Sequence, residues 1–203
     1  MENRVTQAGV KWITAWINRY ACKEGIELTK IRLGVEILLI SVIKLCIVYS
    51  LAITLGVLEF TLITHGAFML VKRYSFGLHA LNSTVCTISS CFMFVLVPWM
   101  LSGVAIGNQS VILVFIVVIS VLFLFAPADT KSRPLIGAKR RTQLRIKAVI
   151  CGIVLFILTL LIPSEQVKFL LVLGAVYQSV AILPLTYILL GRSRKNYERY
   201  ELA

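Results

Sequence analysis

Residues 3 to 24 alternate polar and apolar positions with a helical period. Val5, Trp12, Ile13, Trp16, Ile17 and Tyr20 fall on one side, and Arg4, Lys11, Asn18, Arg19 and Lys23 mostly on the other. The pattern predicts an amphipathic interfacial helix in the lipid headgroups, anchored by its tryptophans; packing on the protein's own cytoplasmic face fits it equally well. No short apolar stretch with a small-residue cleavage site precedes Leu33, so a signal peptide is not expected. From Leu33 onward the chain breaks into six apolar segments, at 34–56, 58–74, 80–103, 109–127, 146–163 and 168–191. Each is set against a spanning requirement of about 20 residues, or about 17 at the short end. The second is weakest, being short and carrying Glu59 and His65. Even so, one helix from Leu33 to Tyr74 would run about 63 Å, roughly twice the hydrocarbon thickness, so two spans with a break near Gly56 fit better. The expected fold is an all-α integral membrane protein, with six transmembrane helices and an N-terminal amphipathic interfacial helix in a single membrane domain over 1–203.

Composition agrees: 59% of the 203 residues are hydrophobic and the mean hydropathy is +0.90, too apolar for a soluble domain. In so apolar a chain a net charge of +12 marks cytoplasmic loops and contact with anionic lipid, not nucleic acid. The six-span arrangement puts 1–33, 72–78, 128–147 and 192–203 on one side, and these segments hold 19 of the 21 Lys and Arg. By the positive-inside rule that side is the cytoplasm and both termini lie there. The exceptions are Lys44, inside a span, and Lys168, at the edge of an opposite loop.

Cys22, Cys46, Cys86, Cys91 and Cys151 are odd in number and lack CxxC spacing, so neither a disulfide framework nor a zinc site is suggested. Two histidines and no HExxH motif argue against a metalloprotease, and no metal or cofactor is expected. Cys46, Cys91 and Cys151 read as apolar fillers, His65 as a packed residue, and Cys22 as exposed with no histidine near it in sequence. Glu36, Lys44 and Glu59 lie within or near the membrane core, where ionisable groups face the bundle interior, pair and mark function; Lys44 alternatively snorkels.

The stretch from Lys72 through Gly77 and His79 to Cys86 carries the candidate chemistry. A thiol attacks well only as thiolate and needs a base or a positive field, so His79 is the candidate base and Cys86 the nucleophile. In a continuous helix the seven-residue spacing puts them on one face but about 10.5 Å apart, too far for direct contact. A hydrogen bond therefore requires a non-helical segment after Gly77, with a helix starting at Asn82 or Ser83 and Cys86 in its first turn. The competing reading makes both residues simple packing groups. The six-span arrangement sets them at the cytoplasmic end of the third span, where a thiol stays reduced.

Between the fourth and fifth spans, Ala126 to Arg141 is the most polar part of the chain, and Pro127 and Pro134 shape its backbone. Its basic cluster either holds an acidic peptide or enforces topology, and Asp129 either caps the following turn or orients His79.

Two stretches together resemble the accessory gene regulator B membrane endopeptidases. One runs from Lys72-Arg73-Tyr74 through Gly77, His79 and Ala80 to Cys86; the other is Ala126-Pro127-Ala128-Asp129-Thr130 with Pro134 and the basic run to Arg141. The resemblance covers nearly the whole chain and implies a Cys86–His79 dyad. It implies cleavage of a peptide precursor with an amphipathic leader and an acidic C-terminal tail, and thiolactone or lactone closure through an enzyme thioester. It further implies that Ser83 or Thr84, with backbone N–H groups and Gly77 in support, holds the oxyanion. Lys72, Arg73, Lys139, Arg140 and Arg141, together with Asp129, are then the expected substrate contacts. The leader would share the membrane lipids with the N-terminal helix, and a homodimer is compatible with the family. The rival from another class is a small six-span transporter or channel using Glu36, Lys44 and Glu59, but no internal repeat or matched pair of broken helices supports it.

Overall fold

The computed structural model describes residues 4–78, 83–130, 134–194 and 196–201. Helix α1 (Arg4–Ala21) is followed by a sharp reversal in which Cys22 and Gly25 take positive φ, of 47° and 59°. The chain then enters α2 (Gly25–Thr54). The two form a hairpin: Val10 and Thr14 are buried, Gly9 faces Leu39, and a groove between the helices is lined by Lys11, Thr14, Asn18, Leu28 and Arg32. The Trp12, Trp16 and Tyr20 side chains stay exposed, with Trp16 and Tyr20 in edge-on contact at 5.8 Å.

A turn at Leu55–Val57 leads into α3 (Leu58–Ser75). Next come α4 (Ser83–Cys91), a π-helical turn (Phe92–Leu96) and α5 (Val97–Met100), forming one helical rod. The wide turn has a local cause: Pro98 has no N–H to donate to Phe94, four residues earlier, so the ladder must shift there. Then follow α6 (Asn108–Phe125), α7 (Ala138–Leu161), α8 (Glu165–Ile182), α9 (Pro184–Leu189) and α10 (Glu198–Glu201).

Among the described residues, five helical rods are long and apolar enough to cross a membrane: Gly25–Thr54, Ser83–Met100, Asn108–Phe125, Ala138–Leu161 and Glu165–Ile182. The expected second span, α3, is not among them, because Glu59, Lys72 and Arg73 all fall within its 18 residues. Two helices run past the apolar segments they contain. Helix α2 begins at Gly25, ahead of residue 34, because Glu27, Lys30 and Arg32 end the apolar run without ending the helix. Helix α7 likewise starts at Ala138, ahead of residue 146, through basic residues that are good helix formers. The expected 168–191 span divides: α8 stops at Ile182, Leu183 is extended ahead of Pro184, and α9 restarts with the proline in its first turn.

The main core joins α3, α6, α7 and α8 through Ala67, Val71, Phe115, Leu122, Leu155 and Ile182. The closest approach is between α8 and α3. A Cβ on Gly174 would collide with the Thr64 carbonyl oxygen and stand 2.8 Å from Ala67 Cβ, so only a glycine lets the two backbones pack this tightly. A smaller cluster of Val48, Ala52, Val57 and Val95 joins α2 to the π-helical turn. Helix α2 thus packs along the side of the bundle that also carries α4.

Candidate active site

Helix α3 ends at Ser75, and the next residues leave helical geometry at once: Phe76 has φ +57° and Gly77 φ +110°. The Gly77 backbone donates to the Ala128 carbonyl at 3.0 Å, and the Ala128 N–H donates to the Ser75 carbonyl at 2.9 Å. This short parallel bridge ties the loop after α6 to the end of α3. From the other side, the Gln178 side chain of α8 donates to Ser75 Oγ at 2.7 Å and to the Phe76 carbonyl at 2.6 Å. Gln178 is fully buried, so both bonds form where water does not compete. A Cβ on Gly77 would stand 3.1 Å from Ile182 Cγ2 and 3.3 Å from the Ala181 carbonyl oxygen. The segment leading to His79 is therefore pinned on two sides, and helix α3 has ended before Gly77. His79 itself, with Asn82, lies outside the described residues.

Cys86 is the fourth residue of α4 as described and is half-buried. Its own carbonyl accepts from Ser90 Oγ at 2.8 Å. Its sulfur receives a hydrogen bond from Lys44 Nζ at 3.3 Å, across 42 residues of sequence. Lys44 had drawn notice as a charge inside a span, but nothing in the spacing pointed to its partner. Ser83 and Thr84 are exposed in the first turn of α4, and the Ser83 carbonyl accepts from Thr87 Oγ1. His65 lies deeper on α3, bonded through Nδ1 to Tyr49 at 2.9 Å and packed on Phe94.

The basic residues separate into two groups. Lys72 is half-buried, with Nζ 4.7 Å from the centre of the Phe68 ring, whereas Arg73, Lys139 and Arg140 are exposed. Arg141 is engaged within the chain: its guanidinium forms a two-pronged pair with Glu201, covers the Tyr197 ring at 3.8 Å and donates to the Leu135 carbonyl. The Gly137 N–H completes the Glu201 cradle at 2.8 Å. The bond to Arg141 holds the Glu201 carboxyl below its ordinary pKa, and the Gly137 N–H adds to that.

Asp129 is turned inward, only 3% exposed, and its carboxylate accepts from the Tyr197 N–H at 3.0 Å. Its carbonyl accepts from Tyr187 Oη. Arg194 reaches the Phe125 carbonyl and Arg145 the Ala126 carbonyl, both at 2.9 Å. Burial pulls the Arg194 pKa below its ordinary value, while Tyr187, Asp129 and Tyr197 oppose that. The C-terminal segment is thereby fastened beneath the loop whose other edge holds Gly77. Of Gln178, Tyr187 and Arg194, only Gln178 carries a sequence signal, as an amide in an otherwise apolar helix.

A sequence model of the family Accessory gene regulator B matches residues 10–182. This chain belongs to the accessory gene regulator B family. An AgrB-like protein of Clostridium acetobutylicum is 42% identical over 185 residues, covering 91% of this chain and 88% of its own length. An AgrB-like protein of Listeria monocytogenes serotype 4a is 44% identical over 172 residues, covering 85% of this chain and 84% of its own. The Accessory gene regulator protein B of Staphylococcus intermedius is 32% identical over 160 residues, or 79% and 84% of the two chains. No solved structure matches the chain. Membership implies a part in accessory gene regulator quorum sensing, and the apolar helices make this family member a multi-pass membrane protein.

Proposed function

We propose that this chain is a membrane-embedded cysteine endopeptidase that removes the acidic tail of a peptide precursor and cyclises what remains. The observation that carries the reading is the position of Cys86, half-buried in the first described turn of α4, just beyond a helix break pinned at Gly77. Backbone N–H groups in a first helical turn have no intrahelical partners and favour negative charge.

In the proposed chemistry the Cys86 thiol gives its proton to His79, and Sγ attacks the carbonyl carbon after the signal segment. The C–N bond breaks, and the tail departs as an amine carrying the proton from His79. The peptide's own thiol or hydroxyl then attacks the thioester, giving its proton to His79 as Sγ leaves with the C–S electron pair, and a thiolactone or lactone ring closes. An enzyme thioester lies near the product in energy, whereas condensation from a free carboxylate is uphill. Exclusion of water protects the intermediate from hydrolysis. Ser83, Thr84 and the first-turn N–H groups are the proposed oxyanion contacts.

The proposed orientation counts α3 as a sixth span, with both termini and the site at the cytoplasmic face. It is supported by the concentration of 19 of 21 Lys and Arg on that side. The precursor's leader shares the membrane surface with α1, and its acidic tail is drawn to Lys72, Arg73, Lys139 and Arg140, whereas Arg141 is already taken up by Glu201. Co-expression with an acidic-tailed precursor tests the proposal. Cys86→Ala and His79→Ala should each abolish tail release with membrane insertion intact. Processing that survives Cys86→Ala overturns it.

A further inference from the structure

Lys44 lies well inside the 30-residue helix α2, away from both ends. An ammonium at such a position is expensive in hydrocarbon and persists where it is paired or used. Its neighbours Ile43, Leu45 and Ile47 are exposed on the outer surface of α2, but Lys44 is half-buried and its Nζ points at Cys86 Sγ, 3.3 Å away. The side chain therefore turns inward, toward a thiol, instead of snorkelling outward.

Other titratable groups surround the pair. From α3, Lys72 lies within Coulombic range of both Lys44 and Cys86, and His65 within range of both lysines. Tyr49 of α2 is bonded to His65, and Cys91 of α4 feels Lys44. Of the two ammonium groups near the Cys86 sulfur, Lys44 is the one in hydrogen-bond contact with it.

We propose that Lys44 is a catalytic residue whose ammonium holds the negative charge on Cys86 Sγ, both before attack and again when the sulfur leaves. The inference rests on Cys86 being the nucleophile. Lys44 donates a hydrogen bond but transfers no proton. When the C–S bond forms, the charge leaves the sulfur and the contact weakens. When the peptide's thiol or hydroxyl attacks, the C–S electron pair returns to Sγ, and Lys44 stabilises that leaving group. One cation thereby assists both acyl transfers, a task distinct from the proton exchange assigned to His79.

The test is alkylation of Cys86 by iodoacetamide in the full-length protein in lipid nanodiscs, followed by peptide mass mapping from about pH 6 to 9. Replacement Lys44→Met should slow Cys86 alkylation at pH 7 about tenfold or more, whereas Lys44→Arg keeps most of the rate. Circular dichroism and a monodisperse elution profile check assembly. Lys44→Gln carries the same expectation if the methionine variant does not assemble. Alkylation of the Met or Gln variant at the wild-type rate overturns the proposal. The assay needs no precursor, so its failure is distinct from survival of tail release in Cys86→Ala.

Discussion

Gln178 and Ser75 lie 103 residues apart, yet the buried Gln178 amide donates to Ser75 Oγ at 2.7 Å, and the same nitrogen reaches the Phe76 carbonyl at 2.6 Å. These bonds fasten α8 to the point where α3 stops, and so orient the segment that leads to His79. Gln178→Leu removes both and leaves buried acceptors unsatisfied, at a cost of about 1–3 kcal/mol. The expected result is a lower unfolding temperature in detergent together with slower tail release. Thermal unfolding and a precursor cleavage assay on one preparation check both effects.

Gly77 has φ +110°, and an added Cβ would stand tight against Ile182 Cγ2 and the Ala181 carbonyl oxygen. Gly77→Ala combines backbone strain of roughly 1–3 kcal/mol with crowding against these two neighbours. Tail release should fall by at least about tenfold while the membrane-inserted level falls less, since the strain is local to the site. Quantifying membrane-extracted protein beside the cleavage product measures the two separately.

Gly174 and Gly152 differ in what a side chain would meet. At Gly174 an added Cβ meets the backbone of α3 at Thr64 and Phe68, whereas at Gly152 it meets mainly the tip of Leu122, at 2.8 Å. A leucine tip moves aside and a helix backbone does not. Gly174→Ala should therefore cost about 1–3 kcal/mol or more by overpacking, and Gly152→Ala clearly less. Parallel melts of the two variants supply the comparison.

The contrast between α8 and α3 also shows what sequence reading could reach. The apolar runs located the helices because spanning segments must be long and uncharged. They did not reveal that α2 reaches back to Gly25, because Glu27, Lys30 and Arg32 leave the apolar pattern without leaving the helix. They ran the last span past Ile182, although Pro184 marks the division. The need for a helix break near Gly77 was legible, since a continuous helix holds positions seven apart at a fixed separation. The pairing of Lys44 with Cys86, the Gln178 anchor and the Tyr197 partner of Asp129 were not legible, because each joins helices or loops whose mutual placement depends on packing of the whole bundle.

The Glu201 carboxyl, seated between Arg141 and the Gly137 N–H, supplies a pH-dependent latch for the C-terminal segment. Its pKa is lowered by the Arg141 bond, so the latch is fully present above the ordinary carboxylate range and is lost as pH falls through the lowered value. Limited proteolysis should show the C-terminal segment protected at neutral pH and cut at about pH 3 by an acid-active protease. Glu201→Gln should be cut readily at neutral pH too. Equal protection of the variant and the wild type at neutral pH would contradict the latch.

The central claim is a covalent acyl group on the Cys86 sulfur. Purified enzyme in nanodiscs is mixed with a precursor whose internal Cys or Ser is replaced by Ala, quenched in acid and weighed intact. The account predicts an added mass equal to the tail-free precursor less one water, mapped to Cys86, released by hydroxylamine and lost in Cys86→Ala. Efficient tail release with no such adduct, or an adduct that persists in Cys86→Ala, would contradict it.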